Sequence, residues 1–312
     1  MKYTIYNSGP ALPKHSEGLA LIELMIAMLL GLILIGAATG VMLSNTQSFR
    51  FTKDLSQTQD SVRLGFELMA RDIRQAGSIP CGNDVAIDNL LTNSSPWYLN
   101  WSAGQLRGYT GDTTVAGLTN RADGTQVLTM LYIDSGSASL ESGGINEYEF
   151  ETKNSHLKTN DIALICNERK ATFFKTEISA GSDDNTLAKP LQAGNKNTQT
   201  GTFEQNAVIS QLKSRAWYIG TNEQGARSLY MIELTGAELG APIEIATGVQ
   251  DIAFTYRLSD TADFKPANDI SNWSLVNAVQ ISLTPELYSR DLAENAAAQT
   301  LSSIVALRKR IL

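Results

Sequence analysis

The sequence is poor in the side chains that most active sites need. Histidine occurs twice in 312 residues, as His15 and His156, and cysteine twice, as Cys81 and Cys166. Neither cysteine stands in a CxxC pair, and neither has a histidine cluster beside it, which argues against a zinc site or a redox pair. No GxSxG, HExxH or glycine-rich phosphate loop is present, and His156, in KNSHLKTND, reads as a solvated loop residue. Basic residues are in the minority, 25 Lys and Arg against 32 Asp and Glu, and after residue 50 they gather into no run of the kind that tracks a phosphate backbone. Nucleic acid therefore has no electrostatic footprint. We expect no catalysis, no cofactor and no metal; Asp260, Asp263 and Asp269 lack the spacing of a calcium loop. Aromatics make up only 7% of the chain against 43% hydrophobic residues in all, a balance that suits a globular protein with one membrane segment.

Proline is absent between Lys14 and Ile79, and charge is nearly absent from Leu19 to Leu43, where Glu23 is the sole ionisable residue. A helix over that run would reach about 37 Å at ~1.5 Å per residue, enough for a hydrocarbon core of about 30 Å. Three readings compete. A cleaved secretory signal would use the small residues Gly36-Ala37-Ala38-Thr39-Gly40, but its apolar core should be shorter. A plain anchor explains the length and leaves Glu23 as an unexplained cost of up to about 3 kcal/mol. The third reading gives the glutamate a role. Lys2 and Lys14 before the run are matched by Arg50 and Lys53 after it, so basic residues do not set the orientation. Gly36 and Gly40 form a small-xxx-small pair suited to close helix packing.

Beyond the apolar run, Leu55, Val62, Phe66, Met69 and Ile73 recur at helical spacing and mark one face of an amphipathic continuation. It should end near Gly77, ahead of Pro80. The alternative is a helical linker broken between residues 44 and 54, where Ser44, Asn45, Thr46 and Ser48 lower helix propensity. From residue 80 the texture changes to strand-like runs at 126–133, 161–166, 171–178, 215–220, 227–234, 251–258, 277–283 and 303–308. Two alternate cleanly, Ile252, Phe254 and Tyr256 on one face, then Val279, Ile281 and Leu283, as in antiparallel strands with one covered face. The polar stretches 83–125 and 180–205 read as surface loops, where recognition would reside. If the chain is exported, Cys81 and Cys166 are expected to pair, closing a loop worth about 4 to 5 kcal/mol in the chain-entropy model. Otherwise they are two buried, reduced cysteines.

The stretch EGLALIELMIAMLLG resembles the prepilin signature of type IV pilins and type II secretion pseudopilins. In those proteins a membrane peptidase cuts after a glycine, the new N-terminal residue is methylated, and a glutamate stands fifth in the mature chain. Gly18, Leu19 and Glu23 occupy those positions. Leu19 departs from the usual phenylalanine and Ala20 from the common threonine. The landmarks MARDIRQAG followed by Cys81, DIALICNERKATFF, GVQDIAFTYRLSD, NWSLVNAVQISL and VALRKRIL resemble, in the same order, those of PilW-type minor pilins.

That resemblance implies an α+β fold in which a long N-terminal helix, membrane-spanning and then amphipathic, packs against a β-rich head of mainly antiparallel strands. The expected divisions are a leader at 1–18, a transmembrane helix at 19–43, its amphipathic continuation at 44–77 and a periplasmic head at 78–312. Implied partners are other minor pilins, the major pilin, a PilY-type tip adhesin, the inner-membrane assembly platform and the prepilin peptidase. The place would be the inner membrane before assembly and the pilus tip after it. A secretion pseudopilin and a membrane-anchored, adhesin-like binding protein are the alternatives.

Overall fold

In a computed structural model, the chain divides into two units, Met1–Ser56 and Gln57–Leu312. The structure describes residues 19–308 apart from 83–84, 135, 137, 141–149, 153–155, 181–185, 199, 205–206 and 286–299. Gly18 thus lies outside the described residues. The main helix, α1 (Leu19–Gln75), is an unbroken 57 residues, so the polar cluster at 44–48 does not interrupt it. Thr39, Thr46 and Thr52 return their hydroxyls to the carbonyls of Ile35, Met42 and Ser48 at 2.7–2.9 Å, so these polar groups are satisfied within the helix. It stops where expected: Gly77 adopts φ +74°, a conformation glycine takes without a Cβ penalty.

Among the described residues the head holds sixteen strands in two sheets. They are β1 (Ala86–Asn89), β2 (Leu106–Tyr109), β3 (Val127–Ile133), β4 (Ala138–Ser139), β5 (Phe150–Thr152), β6 (Ile162–Cys166), β7 (Lys170–Ala180) and β8 (Thr186–Pro190) in the first half. The second half adds β9 (Val208–Thr221), β10 (Arg227–Thr235), β11 (Glu238–Leu239), β12 (Ile243–Thr247), β13 (Val249–Leu258), β14 (Phe264–Lys265), β15 (Val276–Pro285) and β16 (Leu301–Ala306). All eight expected strands are present, and every pairing is antiparallel except β1 with β7.

The larger sheet is organised around β9. Its first half pairs with β6 and its second half with β3 and β10, so one 14-residue strand serves two sets of neighbours. Strands β3 and β6 are near-continuous apolar runs and are buried along their whole length, because the sheet is covered on both faces. The smaller sheet, in the order β14-β13-β15-β16, follows the alternating pattern: Ile252, Phe254, Ile281 and Leu283 point into the core while Thr255, Gln280 and Ser282 do not.

Val62, Met69 and Ile73 of α1 are completely buried, with Phe66 half-buried beside them, as the helical spacing requires. Leu55 of the same expected face lies outside the described side chains. These residues join Trp217, Ile219, Leu229 and Met231 of the large sheet and Ile252, Phe254 and Leu283 of the small one in a single core. The expected surface loops are a correction. Residues 83–125 contain β1, β2 and a 3-10 turn at Trp101–Ala103, and Leu91, Leu99, Trp101, Leu106 and Val115 are buried. Arg121 explains how a polar segment can be held this firmly: its guanidinium donates to the carbonyls of Thr110, Gly111, Thr113 and Thr125. In 180–205, β8 pairs with β7 and Asn195 bonds three backbone groups.

Candidate functional site

The first part of the candidate site is the N-terminal half of α1. Within Leu21–Arg50 the most apolar 18-residue window has a mean hydropathy of 2.5, and none of that window is buried among the described residues. Leu21, Leu24, Met28, Leu32 and Ile35 are all exposed. Such a surface must be covered by lipid or by other helices. A helix suits either, because its backbone hydrogen bonds are satisfied internally. Glu23 lies on this helix, exposed, with no other ionisable residue before Arg50. Leu19 opens the helix, and its side chain is not among those described. Around Gly36 and Gly40 nothing lies within 4 Å of where a Cβ would stand, so that small-residue face is open.

A second part was not singled out from the sequence. Asp72, in the last turns of α1, is fully buried, and its carboxylate is gripped from two sides. Arg215 Nη1 donates to Oδ1 at 2.7 Å, and Trp217 Nε1 donates to Oδ2 at 3.0 Å. Arg215 also donates through Nε and Nη2 to Glu233 Oε2, at 3.1 and 3.0 Å, and lies over the Tyr132 ring at 5.9 Å. Burial raises the Asp72 carboxyl above the usual carboxylate range, against the pull of Arg215 and the indole. Burial alone would lower Arg215, but the charges of Asp72, Tyr132 and Glu233 outweigh it and hold the guanidinium above its ordinary value. A buried pair of this kind adds little net stability, but misplacing either partner strands a charge. It therefore fixes how the end of α1 seats on β9.

The segment after the helix is fastened twice more. Gly77 N–H donates to Leu131 O, and Ile133 N–H to Ser78 O, which adds residues 77 and 78 alongside β3. Cys81 and Cys166 form a disulfide with Cα atoms 6.0 Å apart, on a core that includes Ile79, Trp101, Leu164 and Phe173. His156 is exposed. Among the described residues no three His, Cys, Asp or Glu side chains gather where a metal could bind.

Fold and site together define a chain whose apolar N-terminal helix, long enough to cross a membrane, continues into a disulfide-bridged, β-rich head. Residues 13–39 match the family model for the prokaryotic N-terminal methylation motif, a stretch that includes Gly18, Leu19 and Glu23. This motif is the N-terminal signature of type IV pilins and pseudopilins, which are structural proteins. The motif implies processing by a prepilin peptidase, and with the apolar helix it points to inner-membrane anchoring and incorporation into a pilus. No curated protein and no solved structure matches the chain.

Proposed function

We propose that the protein is a minor type IV pilin of the PilW type. In this reading it is cleaved after Gly18, methylated on Leu19, and held in the inner membrane by residues 19–43 with its head in the periplasm. It then joins other minor pilins, the major pilin and a PilY-type tip adhesin in the complex that primes the pilus and lies at its tip, loaded through the assembly platform. Its work is contact between surfaces. The observation that carries this reading is the methylation motif opening directly into one uninterrupted helix that ends inside a large head.

Glu23 takes the role of register key. Cleavage after Gly18 leaves an ammonium on Leu19, and the carboxylate of one subunit meets the amine of a neighbour in an apolar core. A subunit seated out of register strands both charges, at a cost of about 3–5 kcal/mol. The mature N-terminus is the first measurement: mass spectrometry should find methylated Leu19, and an intact Met1 or an N-terminus at Thr39 would overturn the reading. Glu23→Gln should then be membrane-inserted and cleaved as usual but depleted from sheared filaments. Deleting the gene should abolish surface pili and twitching; loss of exoprotein secretion with pili intact would assign the protein to a secretion pseudopilus instead.

A further inference from the structure

Strand edges on a protein surface are commonly guarded by charge, because unpaired backbone groups recruit other strands. Among the described residues, the strands with a single strand partner are β1, β2, β4, β5, β11, β12, β14 and β16. Six of these carry a charged residue: Asp88, Arg107, Glu151, Glu238, Glu244 and Lys265. The exceptions are β4, two residues long, and β16, which reads Leu301-Ser302-Ser303-Ile304-Val305-Ala306. β16 is also where apolar surface is exposed: Ile304 is 59% accessible, more than any other large apolar side chain described beyond the exposed part of α1, and Leu301 is 41% accessible.

The pairing of β15 with β16 tells which backbone groups have no partner strand among the described residues. Leu307 N–H donates to Asn277 O, directly opposite it in the register, so residues 301, 303, 305 and 307 bond to β15. The N–H and C=O groups of Ser302, Ile304 and Ala306 consequently point away from the sheet. A strand that completes this edge must present outward groups at alternate residues. It must carry no charge, and it must place apolar side chains opposite Ile304 and Leu301. The same strand running antiparallel about Ile304 meets every condition: Ile304 faces Ile304, Ser302 faces Ala306, and Leu301 faces Leu307.

We infer that β16 is a self-association edge, through which two copies of the chain join their four-stranded sheets by an antiparallel β16 pair centred on Ile304. A strand pair of this length buries less than a standard protein interface, so the contact is weak and transient. Anchoring in a membrane raises the effective concentration at which two heads meet. The pairing does not depend on the pilin assignment or on any filament.

The test uses the purified full-length chain in detergent. The native cysteines described are both in the disulfide, so Ile304→Cys supplies a single new thiol. Under mild oxidation Ile304→Cys should form a covalent dimer much faster than Ser259→Cys, another exposed position in the head. In sedimentation, Ile304→Pro removes the outward N–H without touching the β15 ladder, and should weaken self-association about tenfold with the unfolding midpoint kept. Ile304→Lys, which keeps the N–H but sets two like charges face to face, serves if the proline variant misfolds. A monomeric wild type, equal oxidation at both positions, or a dimer that survives both Ile304 substitutions overturns the inference. So does an Ile304→Cys variant that cross-links in cells only to a different polypeptide.

Discussion

Tyr256 shows how closely the two sheets are fitted. Its ring is completely buried and meets Trp273 edge-on at 4.8 Å, while its hydroxyl has no hydrogen-bond partner among the described residues. Burial drives the phenol far above its ordinary pKa, so it stays neutral at any pH the protein meets. The hydroxyl is pressed against the backbone of β2, where a Cβ on Gly108 would overlap it. An unpaired buried hydroxyl costs about 1–3 kcal/mol. Tyr256→Phe should therefore leave the midpoint of chemical denaturation unchanged or raise it. Gly108→Ala should lower it by about 1–3 kcal/mol through overpacking, and Tyr256→Phe should recover part of that loss. A Tyr256→Phe variant clearly less stable than wild type would show that the hydroxyl does bond in the folded protein.

At the scale of elements, the docking of α1 on β9 depends on Asp72. Asp72→Ala leaves the Trp217 indole N–H without its acceptor and Arg215 with Glu233 alone, and should cost about 3–5 kcal/mol in denaturant unfolding. The pH dependence follows from the raised carboxyl. A folded-state pKa above the unfolded one means the folded chain binds the proton more tightly, so stability from this group grows as the pH falls. Compared with Asp72→Asn, the wild type should gain stability between pH 7 and the ordinary carboxylate range; a relative loss there would mean that Arg215 prevails over burial. The helix itself was legible in the sequence because its signals are local: 62, 66, 69 and 73 on one face, then Gly77 and Pro80. The methylation motif was legible for the same reason, its glycine, leucine and glutamate lying within six residues. Asp72 and Arg215 are 143 positions apart, and only the fold brings them together. Strands of two to five residues such as β1, β2 and β8 were missed because neighbours hold them, not their own alternation. The first half of β9 was missed because Ser210 and Ser214 are polar yet buried.

For the molecule as a whole, two kinds of surface must be reconciled on one chain: an apolar helix that is exposed among the described residues and a head that folds around closed cores. The disulfide belongs to the head and closes a separation of 85 residues, from just past α1 to the end of β6. Reducing it frees the segment that follows the helix and enlarges the unfolded ensemble, a loss of about 2–5 kcal/mol for a native bridge. The double variant Cys81→Ser with Cys166→Ser should therefore unfold about 5–15 °C lower than wild type, using a few degrees per kcal/mol for a head of this size. Reductant added to the wild type should reproduce that shift. Cys166 is fully buried, so Cys81→Ser alone leaves a shielded thiol and should match the double variant. Two thiols that label in the native wild type, with no response to reductant, would refute the bridge. A bridge that forms only after export would make the head least stable while still in the reducing cytoplasm. In the proposed reading, with the head in the periplasm, its stability would then rise on the side of the membrane where assembly takes place.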